Sequence, residues 1–419
     1  MDGWALPVLV PSPIPDEGRL QQKRTKLQEK DGSLKNGEFV SPCHTRIYSH
    51  KAHQFTEMDP TPPFGETVRL INRFTRRSTM EIDILGIDLA KRVFQLHGAD
   101  RRGQALHRSK VTRAGLLQAV RTLHPRVIAM EACGSAHHWA RCFQEMGMEV
   151  RLISPQYVVP FVKTNKNDRN DAEAIAEAAG RPTMRFVTVK SVEQQDMQAV
   201  HRVRELLVTQ RTALINQARG LLAERGVTIA QSPEAFKRAM PQILGQCEGE
   251  VTSICQAMLM ELVQQVQVLE ERIKHAEGWI KSFMKQSALC KKISAIAGVG
   301  PITATAMVAA VGDAKEFKNG RHLSAWLGLV PRQCSSGGKS RLKGISKRGD
   351  TYLRTLLIHG ARSVLRYAVA KTDPRSRWLQ ELINRRGYNR AAVALANKNA
   401  RVIQVLLSSE DSYHPATTS

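Results

Sequence analysis

Four carboxylates of this chain occupy positions from which they could bind divalent cations. Asp88 follows an apolar run in GIDLAK, and Glu131 ends another in VIAMEACG. Asp168 and Asp171 lie in NKNDRNDAEAIAEA, where a spacing of three residues would put both on one face of a helix. Converging carboxylates repel one another unless cations lie between them, and hard oxygen ligands suit Mg²⁺ or Mn²⁺. Because two such ions about 4 Å apart can hold a phosphodiester for in-line attack, the four acids predict a metal-dependent site for phosphodiester chemistry.

A second candidate for chemistry is the basic stretch RQCSSGGKSRLKGISKRGD, residues 332–350, which contains a pair of adjacent serines. A serine hydroxyl attacks phosphorus only when its proton is removed and the charge of its target is neutralised. Ser335 and Ser336 precede two glycines that admit a close backbone, and five residues of the stretch supply positive charge: Lys339, Arg341, Lys343, Lys347 and Arg348. No histidine–aspartate partner is evident. The residues alone therefore also allow a flexible basic loop whose serines donate hydrogen bonds to phosphate.

The overall charge indicates a polyanionic partner. Lys and Arg number 62 against 38 Asp and Glu, a formal net charge of +24. Residues 331–390 carry 15 basic and 3 acidic residues, so half of the excess lies in one segment. Such an asymmetry is typical of nucleic-acid contact through phosphates rather than of a solvated surface of mixed charge.

Cysteine usage and hydropathy exclude several other classes of protein. The seven cysteines form no CxxC pair, so neither a zinc site nor a disulfide framework is expected, and a reducing, cytoplasmic location fits best. We expect no signal peptide in this sequence, because its first residues include an acid and its apolar part contains prolines. The uncharged run at 295–312 is interrupted by glycines and a proline and is too weakly apolar to insert in a membrane.

Residues 80–187 show the alternation of an α/β domain. Three apolar stretches, IDILGID, RVFQLHGAD and QALHRSKV, predict strands in hairpin succession. A helix that Thr112 would cap follows, and then the strand RVIAME, a helix ending at Gly147, the strand EVRLIS and a helix ending at Gly180. This order is that of a ribonuclease-H-like domain, in which the strands that end in Asp88 and Glu131 are neighbours.

Residues 188–292 predict two long helices, and Leu262, Val266, Leu269 and Ile273 follow near-heptad spacing. The segment is either an antiparallel hairpin that packs on itself or a coiled coil that joins two subunits. The expected fold class is thus α/β plus all-α.

Residues 293–407 predict a smaller, basic, helical domain. Its GVGP turn, with Gly298 and Gly300, is typical of helix-hairpin-helix modules, where glycine lets backbone N–H groups approach a phosphate; a plain helical hairpin is the alternative.

The two ends of the chain look different from the rest. Residues 1–79 are rich in Pro, Lys, Gln and Thr without a sustained period, so we expect disorder there, and also in the tail 408–419. Met80 stands immediately before the first strand, which suggests that it is the natural start; mass spectrometry of the native N-terminus would test this.

Taken together, residues 80–407 resemble the bridge-RNA-guided insertion-sequence transposases, and their inverted-repeat subgroup most closely. The blocks GIDLAK, MEACGSAHHWAR, KNDRNDAEAIAEA, GVGPITATAMVAAVGD and LSAWLGLVPRQCSSGGKSRLKGISKRGDTYLRTLLIHGAR carry the resemblance. It implies a RuvC-like domain joined to a serine-bearing transposase domain. The segment before Met80 has no counterpart in the family.

The resemblance also implies roles for individual residues. Asp88, Glu131, Asp168 and Asp171 match the family's metal-binding tetrad. The serine of the SG block, Ser336 by its distance from GLVP or else Ser335, would form a phosphoserine link to DNA. The implied partners are donor and target DNA in the bacterial nucleoid, a structured non-coding guide RNA, and further copies of the chain in a dimer or tetramer.

Two other functions remain open at this point. A RuvC-like structure-specific nuclease would use metal without a covalent intermediate, and an inactive descendant would only bind nucleic acid. The serine block argues against the first, since a junction nuclease needs none, and the intact set of four acids argues against the second.

Overall fold

The computed structural model describes residues 81–163, 168–246, 251–337, 339 and 341–414. The predicted disordered segment 1–79 and the last five residues of the predicted tail lie outside the described residues. Residues 409–414 lie outside helices and strands.

A mixed sheet forms the centre of the first domain. Its described strands are β1 (Ile84–Asp88), β2 (Val93–Ala99), β3 (Ala105–Thr112), β4 (Val127–Glu131), β5 (Glu149–Ile153) and β6 (Phe186–Val187). Their order is β3-β2-β1-β4-β5-β6, with β1, β4 and β5 parallel to one another and the other pairings antiparallel. The first four residues of β1 and of β4 are buried, as expected for central parallel strands that read as continuous apolar runs. The arrangement is compatible with the ribonuclease-H-like order predicted from the sequence.

Helices cover both faces of this sheet. They are α1 (Leu116–Leu123), α2 (Ala136–Glu145), the short α3 (Pro155–Val158) and α4 (Asp168–Ala179). Alternate residues of β1 enter different cores: Leu85 and Ile87 pack with α1 and α2, whereas Ile84 packs with α4. The prediction that Thr112 caps α1 is wrong, because Thr112 ends β3 and the cap is Gly115, whose N–H donates to the Thr112 hydroxyl over 3.3 Å.

The middle of the chain is an antiparallel helical hairpin. It contains α5 (Val192–Ala223), α6 (Pro233–Gln246) and α7 (Ser253–Gln286). The ion pairs Arg204–Glu277 and Arg211–Glu270 show that α5 and α7 run in opposite directions. Leu259, Val266, Ile273 and Ile280, spaced by seven, are all buried along α7. The interpretation as a self-packing hairpin is therefore confirmed, and a role of these helices in joining subunits stays a prediction.

The last domain is built around one helical core. Its helices are α8 (Ala288–Ser294), α9 (Pro301–Val311), α10 (Gly320–Trp326), α11 (Thr351–Ala368), α12 (Pro374–Arg386) and α13 (Tyr388–Ser408). Between α10 and α11 lies a two-stranded antiparallel sheet, β7 (Pro331–Gln333) and β8 (Leu342–Ile345), that the sequence did not predict. Among the described helices, none combines the length and the apolar composition needed to cross a membrane.

Gly298, a predicted phosphate contact, has a packing role. Its φ is +88°, and an added Cβ would lie 2.8 Å from the Gly360 carbonyl oxygen of α11. An added Cβ on Gly360 would lie 1.9 Å from the Gly298 carbonyl oxygen, whereas one on Gly300 would meet nothing within 4 Å. The close approach of two backbones accounts for glycine at 298, and contact of Gly298 and Gly300 with phosphate stays a prediction.

Gly360→Ala is expected to destabilise the protein by about 3 kcal/mol, since the new methyl group meets backbone that cannot move aside. Gly278→Ala, in α7 with nothing within 4 Å of the new Cβ, is the matched control and should stabilise by about 0.5–1 kcal/mol. Thermal unfolding of both variants checks this; equal midpoints would contradict the close contact between α11 and the 298 turn.

Candidate active site

Two of the predicted carboxylates lie side by side at one edge of the sheet. In the parallel pairing of β1 with β4, Ile87 is opposite Met130, so the next residues, Asp88 and Glu131, end the two strands at the same level. Both are partly exposed, whereas the residues before them are buried. The sheet therefore brings these two acids together, as the strand order predicted.

Helix α4 brings the other predicted pair to the same edge. Gly86 lies so close to α4 that an added Cβ would be 2.3 Å from the Ala172 carbonyl oxygen, and Ile84 approaches Gly180 at the far end of the helix. The helix thus runs antiparallel to β1, and its first turn lies near the carboxyl end of that strand. Asp171 is partly buried in this first turn. Asp168 is the first residue of the helix, one turn before Ala172, and its side chain lies outside the described residues.

The charges of the two strand-end acids act on a neighbouring thiol. Burial raises the pKa of the Cys133 thiol, and the charges of Glu131 and Asp88 raise it further. The charges of both carboxylates therefore act on the Cys133 side chain. The oxygen donors fit Mg²⁺ or Mn²⁺ by their chemistry. In the described part of the chain, no group of three or more His, Cys, Asp or Glu is arranged to hold a metal ion, so the complete four-acid site stays a prediction.

The loop after Glu131 connects the acidic edge to the long helices. Ser135 caps α2 with a φ of +72°, a conformation that non-glycine residues seldom adopt. The Lys190 N–H donates to His137 Nδ1 over 3.2 Å, and Arg141 donates to the Lys190 carbonyl over 2.6 Å. Burial lowers the pKa of His137 to about 4, with Lys190 and Arg141 adding to the effect. No sequence pattern indicated this junction, because its members are far apart along the chain.

Ser335 and Ser336 lie at the tip of the β7–β8 hairpin, which we call the serine hairpin (residues 331–345). The Lys339 N–H donates to the Ser336 carbonyl over 3.1 Å, and Gly337 in the turn has a φ of +54°. Gln333 Nε2 donates to Ser335 Oγ over 2.9 Å, whereas no described residue hydrogen-bonds the Ser336 hydroxyl. The predicted basic residues of the stretch are all exposed: Lys339, Arg341, Lys343, Lys347 and Arg348. The hairpin therefore presents a serine hydroxyl to solvent among positive charges.

The base of the serine hairpin is held rigidly by Arg354. This residue is 7% exposed, and its guanidinium donates to the carbonyl oxygens of Leu327 and Arg348 over 3.1 and 3.3 Å and to the Thr351 hydroxyl over 3.0 Å. Backbone bonds Ser346–Val330 and Lys347–Gly328 close the base. A charged residue in the apolar run YLRTLL was the signal for Arg354, but the sequence does not reveal which carbonyls it binds.

His201 on α5 joins the long helices to the C-terminal domain. The Thr305 hydroxyl donates to the Pro301 carbonyl and so accepts from His201 Nε2 over 3.0 Å; His201 Nδ1 then accepts from the Tyr352 hydroxyl over 3.0 Å. The imidazole is 3% exposed, and burial, followed by the charge of Arg204, lowers its pKa to about 4. Tyr352 is the second residue of α11, directly after the hairpin base.

Acid is expected to destabilise the protein through His201. A histidine held neutral in the folded chain is protonated on unfolding at any pH below about 6.5. The contribution of His201 to the free energy of unfolding is therefore complete at neutral pH. It falls by about 3 kcal/mol as the pH drops from about 6.5 to 4. Thermal unfolding of His201→Gln should show a flatter pH dependence, with a residual slope from His137. His359→Gln, an exposed site on α11, is the control; a wild-type slope in His201→Gln would refute the assignment.

Two family models match separate parts of this chain. A family model described as "Transposase IS116/IS110/IS902 family" matches residues 290–377, and a second, DEDD_Tnp_IS110, described as "Transposase", matches residues 85–225.

Individual relatives cover most of the chain. A "Probable family 20 transposase" of Pseudomonas aeruginosa is 51% identical over 337 residues, 80% of this chain and 100% of the relative. The "Transposase for insertion sequence element IS1111A" of Coxiella burnetii is 49% identical over 85% of this chain and 99% of its own length. The transposase of IS1328 from Yersinia enterocolitica is 39% identical over 78% and 96% of the two chains.

Proposed function

This chain belongs to the IS116/IS110/IS902 family of insertion-sequence transposases, and from that premise we propose that it cleaves and exchanges DNA strands through a covalent bond to Ser336. As a transposase it is a DNA-recombining enzyme. The observation that carries the serine proposal is the serine hairpin: a hydroxyl without a partner among the described residues, at an exposed tip, surrounded by basic side chains and held on a rigid base.

The proposed step is a transesterification. Ser336 Oγ loses its proton and forms a bond to phosphorus as the bond from phosphorus to a deoxyribose oxygen breaks, and that leaving oxygen takes up a proton to become the free DNA hydroxyl. One phosphoester is exchanged for another, so the strand can be rejoined without an outside source of energy. The exposed lysines and arginines of the hairpin stabilise the charge on the phosphate during attack.

The acidic edge supports a metal-dependent contribution. Asp88 and Glu131, together with Asp168 and Asp171, would hold Mg²⁺ or Mn²⁺, and bound metal would neutralise charge on the scissile phosphate. The backbone arrangement supports this role, since β1 and β4 end side by side and the first turn of α4 lies near the same edge.

We further propose a guide RNA and a multimeric assembly. The net charge of +24 supports binding of a large polyanion, and an RNA that pairs with donor and target DNA would supply the sequence specificity while the protein binds backbone and shape. The strands that end in the acidic edge pack in hydrophobic clusters of the first domain, whereas Leu329 and Leu353, which flank the serine hairpin, pack in the separate cluster of the last domain. This supports an arrangement in which the serine of one protomer acts at the acidic edge of another.

The test is an assay for a covalent adduct. The protein is mixed with RNA transcribed from the non-coding sequence beside its gene, Mg²⁺, and labelled donor and target DNA, and denatured samples are separated by size. We expect a labelled band of protein size, which digestion and mass spectrometry assign to residue 336. Cleaved DNA without any protein-linked band would make water the nucleophile and the protein a metal-dependent nuclease.

A further inference from the structure

A basic cleft in the C-terminal domain lies next to the chain segment that leads into the serine hairpin. It has a volume of about 730 Å³, within the range of about 300–1,000 Å³ typical of ligand sites. One face of α13 forms its floor, the start of α10 one wall and Trp378 of α12 the other. Its lining includes Gly320, Arg321, Trp378, Asn397, Lys398 and Arg401.

The charge of the cleft favours an anionic ligand. Arg321, Lys398 and Arg401 are exposed, and none of the described residues that line the cleft is acidic. The backbone at Arg401 packs closely on the start of α10, because an added Cβ on Gly320 would lie 2.7 Å from it. Three cations converging on one cleft without a carboxylate are suited to phosphate rather than to a neutral molecule.

Trp378 adds a surface on which a planar group can stack. Its ring is partly buried against the core, and Lys398 Nζ lies 4.6 Å from the ring centroid. Such a cation–π pair binds the ammonium weakly at a partly exposed site. A nucleobase that stacks on the ring can displace the ammonium, and Lys398 then reaches the phosphate attached to the same nucleotide.

The cleft is also connected to the candidate active site. Asn397 Nδ2 donates to the Leu329 carbonyl over 3.2 Å, and the Ser324 hydroxyl donates to the Asn397 carbonyl over 3.3 Å. Leu329 precedes β7 by two residues. The floor of the cleft is therefore bonded to the backbone that enters the serine hairpin.

We propose that this cleft binds one unpaired nucleotide of a nucleic acid, with its base on Trp378 and its phosphate among Arg321, Lys398 and Arg401. The ligand must be unpaired, because a base within a duplex is stacked on its neighbours and offers no free face. An unpaired RNA loop and an opened DNA strand present the same chemistry. The inference rests on the proposed action on DNA with an RNA guide, but not on the identity of the nucleophile.

The binding test uses the full chain with fluorescent U12 RNA, dT12 DNA and a duplex DNA of the same length. Trp378→Leu should weaken binding of a single strand about tenfold and change duplex binding less than twofold. Trp378→Phe keeps an aromatic ring and should remain within about threefold of wild type. Trp326→Leu is the matched control: Trp326 is 39% exposed on α10 and lies outside the cleft. A loss limited to U12 assigns the site to RNA, and a loss with both single strands assigns it to any unpaired strand.

The basic residues are tested by salt dependence. Lys398→Gln and Arg401→Gln should each lower the slope of log affinity against log salt by about one for single strands. Arg385→Gln, exposed on α12 outside the cleft, should not affect that slope more than the cleft variants do. Equal losses for single strands and duplex in Trp378→Leu, or equal effects of Trp378→Leu and Trp326→Leu, would overturn the proposal.

The adduct assay separates this inference from the proposed function. Normal single-strand binding by Trp378→Leu together with a Ser336 adduct in wild type would reject the cleft and keep the nucleophile. Selective loss of single-strand binding in Trp378→Leu with no adduct in wild type would keep the cleft and reject the nucleophile. Long-wavelength crosslinking of 5-iodouracil oligonucleotides should in addition label a peptide that contains Trp378.

Discussion

Ser336→Ala is expected to abolish the protein-linked DNA product, lowering its yield by more than about 10³-fold, while DNA affinity stays within about twofold of wild type. The hydroxyl is the proposed nucleophile, and a methyl group cannot replace it. Because residue 336 is exposed at the tip of the hairpin and no described residue hydrogen-bonds its side chain, the substitution removes no packing. Adduct formation on denaturing gels, with anisotropy for affinity, measures both quantities.

The neighbouring serine is the matched control for this prediction. Ser335 is also exposed, but its hydroxyl accepts a hydrogen bond from Gln333, so Ser335→Ala should keep most of the adduct. An adduct lost in Ser335→Ala and kept in Ser336→Ala would move the nucleophile by one residue. Persistence of the adduct in both single variants and in the double variant would exclude the hairpin serines altogether.

The acidic edge could be predicted from the sequence because it depends on strand order. Continuous apolar runs of four residues that end in an acid predicted β1 and β4, and the parallel pairing of adjacent strand ends follows from the order of the elements. The prediction that Asp168 and Asp171 share one face of a helix followed from their spacing alone. What the sequence could not supply is the direction of α4 over β1, which depends on Gly86 and the small residues of α4 packing closely.

The sequence analysis did not predict that residues 331–345 form a hairpin, and there is a physical reason for this. Its strands have three and four residues and are almost entirely exposed, so they lack the alternation of apolar and polar residues that reveals a half-buried strand. The contacts that hold it come from residues distant in the chain, such as the bond from Arg354 to Leu327. His201 was missed likewise, since its partners Thr305 and Tyr352 are more than 100 residues away. The heptad spacing in α7 was recognised, but spacing alone cannot distinguish an intramolecular partner from a second subunit.

Asp88→Asn and Glu131→Gln are each expected to lower strand cleavage on the order of 10³-fold, since bound metal contributes several kcal/mol of charge stabilisation and an amide is a weaker ligand. Calorimetric titration with Mg²⁺ or Mn²⁺, thermal unfolding and the cleavage assay together test this. Glu145→Gln, an exposed acid on α2 of the same domain, is the control. Full cleavage by Asp88→Asn would remove the acidic edge from the reaction.

Co-expression of a serine variant with an acidic-edge variant tests whether an active site is shared between protomers. Neither Ser336→Ala nor Asp88→Asn alone is expected to form the adduct. If the serine of one protomer acts at the acidic edge of its partner, a mixed dimer has one site in which both parts are intact and one in which both are changed. Co-expression at equal levels makes half of the dimers mixed, so about a quarter of the wild-type adduct should return. If serine and acids act within one chain, every site in the mixture lacks one part, and no adduct returns at any ratio.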